Sequence, residues 1–276
     1  MTKPLLNPPC KGWQRDLPGP NDPPAEAPDI VFGAPNHLDE VYLEIARRSI
    51  SVRGFLFFLG LFCWGFVLWT VVTSGFISDL VTFDPTQLIV YLSFAAFLLI
   101  SLSMLRIDFS VPRSEPIRFN RARLKVYVYG FHFVWWNPFT RWYVTTKSYD
   151  WDDLRAEAWK QRGATANGGL VINEGVSLAV VKPGTNHVID RFHLSGSVQT
   201  ALWAYICTYM QKGPQALTPC DAPMRDANDT YNPITRLAPK VQWPEAMDIE
   251  SRTAPSSSSG ADAAGVFLCG QSLESR

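Results

Sequence analysis

Charge is scarce in this sequence: 25 Lys and Arg balance 25 Asp and Glu, together 18% of 276 residues. The balance excludes a nucleic-acid binder that relies on bulk positive charge. The scarcity is also local. Residues 54–105 contain no Lys or Arg, and their only acids are Asp79 and Asp84, which excludes a simple soluble globule. The five cysteines are odd in number and none forms a C-x-x-C pair, so a zinc ribbon or thioredoxin-like motif is absent. Cys63 and Cys207 read as small hydrophobes, and the missing disulfide framework suits a reducing compartment. The opening MTKPLLNPPCKGW has no apolar core or small-residue cleavage site, so no signal peptide is expected. Phosphate-loop, dinucleotide-fold, zincin and serine-hydrolase motifs are all missing. The expectation is a non-enzyme with no catalytic residues, no cofactor and no metal site.

What is present begins with two long apolar runs. Residues 54–77 and 85–105 carry no charge, and about 20 apolar residues cross the roughly 30 Å hydrocarbon core as a helix. A backbone in lipid must satisfy its own hydrogen bonds, so each run is read as a helix. Together they predict a transmembrane hairpin over 54–105, with Pro85 starting its second helix. Gly54, Gly60 and Gly65 offer places for close helix packing. Arg47, Arg48 and Arg53 precede the runs, and Arg106, Arg113, Arg118, Arg121, Arg123 and Lys125 follow them. The positive-inside rule then places both chain ends in the cytoplasm. The expectation is a membrane crossed twice.

On either side the composition changes. Residues 1–35 hold nine prolines and read as an extended, mostly disordered tail. Asn36 and Asp39 in capping positions, with Leu38, Val41, Tyr42 and Ile45 at helical spacing, predict a juxtamembrane helix over 36–53. After the hairpin, β-branched and aromatic runs punctuated by turns predict a β-rich domain over 112–217. Strands are expected at 117–119, 124–129, 131–136, 142–145, 168–173, 177–182 and 187–194. Lys182-Pro183-Gly184 marks a turn, and residues 195–210 form a closing helix with Leu202, Tyr205, Ile206 and Tyr209 on one face. The fold class is α+β, a membrane hairpin followed by a small β-rich domain closed by one C-terminal helix. Residues 218–276 read as a mostly disordered tail.

Several residue groups are candidates for function. The densest aromatic segment includes Trp135, Trp136, Trp142 and Tyr143. Burial in alternation accommodates only about half of it, which leaves either a membrane-facing rim or a surface suited to a protein partner. Arg118, Arg121, Arg123 and Lys125 follow the membrane closely and are candidate contacts for lipid phosphates. Asp150, Asp152 and Asp153 surround Trp151, and the pattern reads as a turn with the indole buried as an anchor. His187 and His193 share a strand face if that strand is regular. They read as exposed strand histidines, since no further metal ligands accompany them.

The stretches PIRFNRARLKVYVY, WDDLRAEAW, VIDRFHL and the helix followed by GPQAL resemble a bacterial family designated domain of unknown function 6708. Its members often carry two membrane helices directly before the domain, and their genes lie near type VI secretion components and toxic effectors; the resemblance implies the bacterial inner membrane, spanned twice. The strand run with one terminal helix is also similar to pleckstrin-homology-like domains. The resemblance implies a secretion-associated immunity or effector-accessory protein, bound to membrane lipid and to a protein partner, a toxin effector or secretion component. The other function it implies is a sensor of anionic lipid headgroups. Neither implies a nucleic-acid partner.

Overall fold

The strands just before and just after the apolar runs pair with each other. In a computed structural model of the chain, β3 (Tyr42–Ala46) and β4 (Pro116–Asn120) are antiparallel neighbours, with Ala46 opposite Pro116 and Tyr42 opposite Asn120. The structure describes residues 3–30, 34–47, 54–73, 88–134, 137–164, 169–195, 200–219, 224, 226, 228 and 235–255. Between the paired strands the chain leaves the sheet, forms α1 (Phe55–Thr73) and α2 (Leu88–Ser110), and returns. The membrane segment is therefore an insertion within the β-domain.

The two helices have mean hydropathies of 2.3 and 2.4. At 1.5 Å per residue they are about 28 and 34 Å long, enough to cross a bilayer. Their outward faces are apolar: Phe62 is 72% exposed, Trp69 62% and Ile89 78%. A core helix of a soluble protein would bury these side chains, so the chain associates with a membrane. The helices are antiparallel. The Asp108 carboxylate of α2 accepts the Gly54 N–H at 3.2 Å, placing negative charge at the start of α1. At Gly60 an added Cβ would lie 2.9 Å from Leu105, so this glycine sets the approach of the helices, whereas Gly65 has nothing within 4 Å. The loop with Asp79, Asp84 and Pro85, and also Arg48 and Arg53, lies outside the described residues.

The domain is two antiparallel sheets and the fold is α+β. The first has the order β2-β3-β4-β5-β6, with β2 at His37–Leu38, β5 at Lys125–His132 and β6 at Tyr143–Asp150. The second has the order β1-β7-β8-β9, with β1 at Trp13–Asp16, β7 at Leu154–Ala164, β8 at Leu170–Val181 and β9 at Val188–Ser195. A 3-10 turn at Trp151–Asp153 makes the corner between sheets. Helix α3 (Thr200–Lys212) closes one side and ends at Gly213, whose φ of +87° suits glycine, followed by Pro214. Leu43, Ile117, Phe119, Val126, Trp151, Leu154, Leu178 and Leu194 form the core with Leu202, Trp203 and Ile206 of α3. Trp151 is 1% exposed, its ring 5.5 Å from Trp203 and 6.2 Å from Phe119, so it is the expected anchor. The segments expected as two strands at 168–173 and 177–182 are one strand, β8. The aromatic run after Tyr129 continues β5 as far as His132.

Two readings from the sequence are overturned, and the C-terminal tail differs from its reading in part. The proline-rich start is extended but ordered. Its carbonyls, which no regular structure engages, receive side-chain donors: Trp203 to Pro18 at 2.9 Å, Gln211 to Pro20 at 3.0 Å and Arg191 to Pro8 at 2.7 Å. Leu6 and Cys10 are buried, and β1 pairs with β7. The helix expected over 36–53 is a strand hairpin as far as Ala46. Asp39 Oδ1 accepts the Val41 and Tyr42 N–H groups at 2.7 Å each and turns the chain between β2 and β3. Leu43 and Ile45 then enter the core, a burial that outweighs local helical spacing. The C-terminal tail is also ordered in part. Helix α4 (Glu245–Arg252) packs on β4 and β5, while residues 256–276 lie outside the description.

Candidate functional site

The sheets meet closely at the Trp151 corner and separate toward the end that carries the helices. A cleft of about 590 Å³ opens there. One wall is the end of the first sheet: Val128, Gly130, His132, Thr145, Lys147 and Tyr149. The other is β9 from Asp190 to His193, with Trp159 and Gln161 of β7. Arg47 and Glu115, the residues that flank the membrane insertion, close it. Both β6 and β9 are outer strands of their sheets.

The polar walls are held by matched charges. Asp190 accepts Lys147 Nζ at 2.5 Å, the Arg191 N–H at 2.8 Å and the Tyr149 hydroxyl. Partial burial opposes its charge, but Lys147 and Tyr149 more than offset this and hold the carboxyl below the usual range. Tyr149 also stacks on Phe192 at 5.8 Å and 12°, which divides core from cleft. Arg191 reaches Glu157 at 2.6 Å. Glu157 lies at the opposite extreme: burial raises its pKa, though Arg191 and the Cys10 N–H pull it down. Arg47 pairs with Glu115 at 2.5 Å and donates to the Tyr129 carbonyl at 3.1 Å. His193 rests edge-on to Trp159 at 5.5 Å, and burial first, then Arg47 and Arg191, lower its pKa. Bulges between β8 and β9 break the regular alternation on which a shared face for His187 and His193 depends. Among the described residues no group of three or more His, Cys, Asp or Glu has the arrangement of a metal site.

The candidate partner residues divide. Trp135 and Trp136 lie outside the described residues. Trp142 is half-buried: Arg106 of α2 stacks over it at 4.2 Å, and Phe131 and Phe133 pack around it at 6.3 and 5.5 Å. It joins the β-domain to the membrane helix. Tyr143 is 52% exposed and stacks on His132 at the cleft mouth.

The candidate lipid contacts are engaged elsewhere. Arg118, 3% exposed, donates to Glu44 at 2.6 Å, Asp248 at 2.6 Å and Ser251 at 2.8 Å, and lies over Trp243 at 4.5 Å. Arg123 donates to the Thr253 and Ala254 carbonyls, Lys125 pairs with Glu250 at 2.9 Å, and Arg121 is 3.8 Å from Glu40. Most of this basic strip docks α4. The acids at 245, 248 and 250 were the signal for that pairing, visible only once the partner strand is known. The cleft itself left no local motif, because its lining comes from β5, β6, β7 and β9 and the two flanks of the membrane insertion.

These features define a class: a membrane-associated α+β protein whose β-domain is interrupted by its own helical hairpin. Within that class the chain belongs to the family of unknown function DUF6708, whose model matches residues 94–235. No curated protein and no solved structure matches it.

Proposed function

We propose that this is a non-enzymatic inner-membrane protein whose β-domain lies in the cytoplasm and holds a protein partner in the cleft. The observation that carries the reading is the position of the cleft between two outer strands, β6 and β9. Outer strands carry backbone donors and acceptors available to an added strand, and side-chain pockets beside them select the guest. Phe131, Phe192 and Trp159 supply apolar walls, while Lys147, Arg191 and Arg47 supply cations. An extended partner segment with apolar and acidic side chains fits that lining. The four strands β3–β6, the three strands β7–β9 and the closing helix α3 follow one another in the order expected of a pleckstrin-homology-like domain. The cations around the hairpin support a cytoplasmic domain. In the family context, the partner is a toxin effector or a secretion component, and the role is immunity or effector accessory.

The test uses the full-length protein, tagged and extracted from its host. Thr145→Trp fills the cleft from a half-buried position of the outer strand β6, outside the core. The expected result is a specific partner captured by the wild type and lost with Thr145→Trp while the domain remains folded. Equal capture by both chains overturns the cleft as the binding site. A cytoplasm-only fluorescent reporter at the C-terminus should be bright, and a dark fusion reverses the orientation.

A further inference from the structure

The β7–β8 hairpin is longer than the sheet that supports it. It pairs from Leu154 opposite Val180 to Ala164 opposite Leu170. Its first half is buried, but Gln161–Ala164 and Leu170–Asn173 are exposed. The exposed part is an apolar arm. Leu170 is 67% exposed, Val171 41% and Ile172 45%. Successive residues of a strand point to opposite faces, so Leu170 and Ile172 share one face and Val171 lies on the other, and neither face covers a core. Across from Val171 stands Gly163, with nothing within 4 Å of where its Cβ would be. Beyond Arg162, which stands opposite Ile172, the arm is free of charge. Residues 163–173, GATANGGLVIN, contain no ionisable side chain, and the nearest acid, Glu174, is paired with Lys160 at 2.9 Å.

Direction decides what the arm meets. β7 leaves the corner at Leu154 and runs toward the helix-bearing end, where its Trp159 and Gln161 share the cleft with Arg47, Gly130 and His132. Three further residues, 162–164, carry it about 10 Å past that level at the rise of an extended strand. The neighbouring β5–β6 connection already reaches the membrane helices at this end, since Trp142 lies beneath Arg106, the first cation after the apolar run of α2. Aromatic rings and apolar side chains at such a level partition into the interfacial region of a bilayer.

We propose that the β7–β8 arm inserts Leu170, Val171 and Ile172 into the lipid interface beside α1 and α2, giving the domain a second, peripheral contact with the bilayer. Arg162, exposed and paired across the hairpin with Ile172, lies within reach of lipid phosphates. The occupant is lipid because the surface continues the one that the helices and Trp142 define. The contact fixes the tilt of the domain and hence the direction in which the cleft opens.

The experiment is site-specific photocrosslinking on the full chain in vesicles of mixed zwitterionic and anionic phospholipid. A benzophenone amino acid replaces Leu170 or Ile172, and as control Thr185, in the turn at the other end of β8. The expected result is a lipid adduct at 170 and 172, severalfold above any at 185. A protein adduct at 170, which would mark a second copy of the chain as the occupant, overturns the proposal. So does labelling at 170 no greater than at 185. Neither readout involves the cleft or its partner, so failure here is distinguishable from failure of the partner-binding reading.

Discussion

The two ends of the β-domain are built on different terms. At the corner, Trp151, Trp203 and Phe119 fill the space between the sheets, and α3 covers them. At the helix-bearing end the same sheets part around charged and aromatic side chains that line an open cleft. Apolar packing holds the first end. Hydrogen-bonded ion pairs, Lys147 with Asp190 and Arg47 with Glu115, hold the second. Interiors packed at crystal-like density leave no place for a guest, whereas pairs at a cleft wall can exchange partners. The difference teaches that stability and availability are separated along the length of the same strands.

The comparison can be broken at its strongest point first. Trp151→Ala should cost about 3–5 kcal/mol, as large-to-small changes of buried aromatics do, and unfold the domain at a much lower temperature in detergent. An unchanged melting temperature would mean that the corner does not carry the fold. Arg118→Met comes next. It strips Glu44 of its buried partner, and breaking such a pair costs about 3–5 kcal/mol at most; the apolar stem retained by Met keeps the loss nearer the lower figure. Hydrogen exchange should show α4 released, because Asp248 and Ser251 lose the same guanidinium.

At the cleft end the effects shrink and become dependent on pH. Asp190 has a folded pKa below its unfolded value near 3.9. Its contribution is complete above the unfolded value and is lost as pH falls through the folded one. Asp190→Asn should therefore lower stability at neutral pH, leave it little changed at acid pH, and so flatten the acid limb of the stability curve. Glu157 has the opposite sign. Its folded pKa is raised, so the fold loses stability as pH climbs from the unfolded value through the folded one. Glu157→Gln should remove that decline, as read in denaturant titrations at stepped pH. The smallest effect expected is that of Thr145→Trp on stability, about 1 kcal/mol, since Thr145 is half-buried and its hydroxyl bonds His132 at 2.9 Å.

How much of this was legible follows from range. The membrane helices were readable because lipid acts on every residue of a run, so composition alone reveals them. Most strands, the Gly184 turn and the buried Trp151 were also local matters. The residues before the helices were not. Leu43 and Ile45 are strand residues only because β4 lies beside them, 70-odd positions later in the chain. The prolines at 18 and 20 are ordered only because Trp203 and Gln211 donate to their carbonyls. The basic strip has the same dependence: Arg118, Arg123 and Lys125 suggested an anionic surface outside the protein, and the chain itself supplies carboxylate and carbonyl partners for them in and just after α4. The cleft depends on all these long-range placements and had no signal of its own.

The pairing of β3 with β4 across the membrane insertion has a consequence for synthesis. β3 emerges from the ribosome first and must wait, paired only with the two-residue β2, while the two apolar helices are delivered to the bilayer and the chain turns back. Only then does Pro116–Asn120 arrive to meet it. Translocation and folding thus occur in a fixed order, insertion before sheet closure. The finished sheet then acts as a clasp, tying the outer ends of both helices to adjacent strands, so that the hairpin cannot part without unzipping the domain.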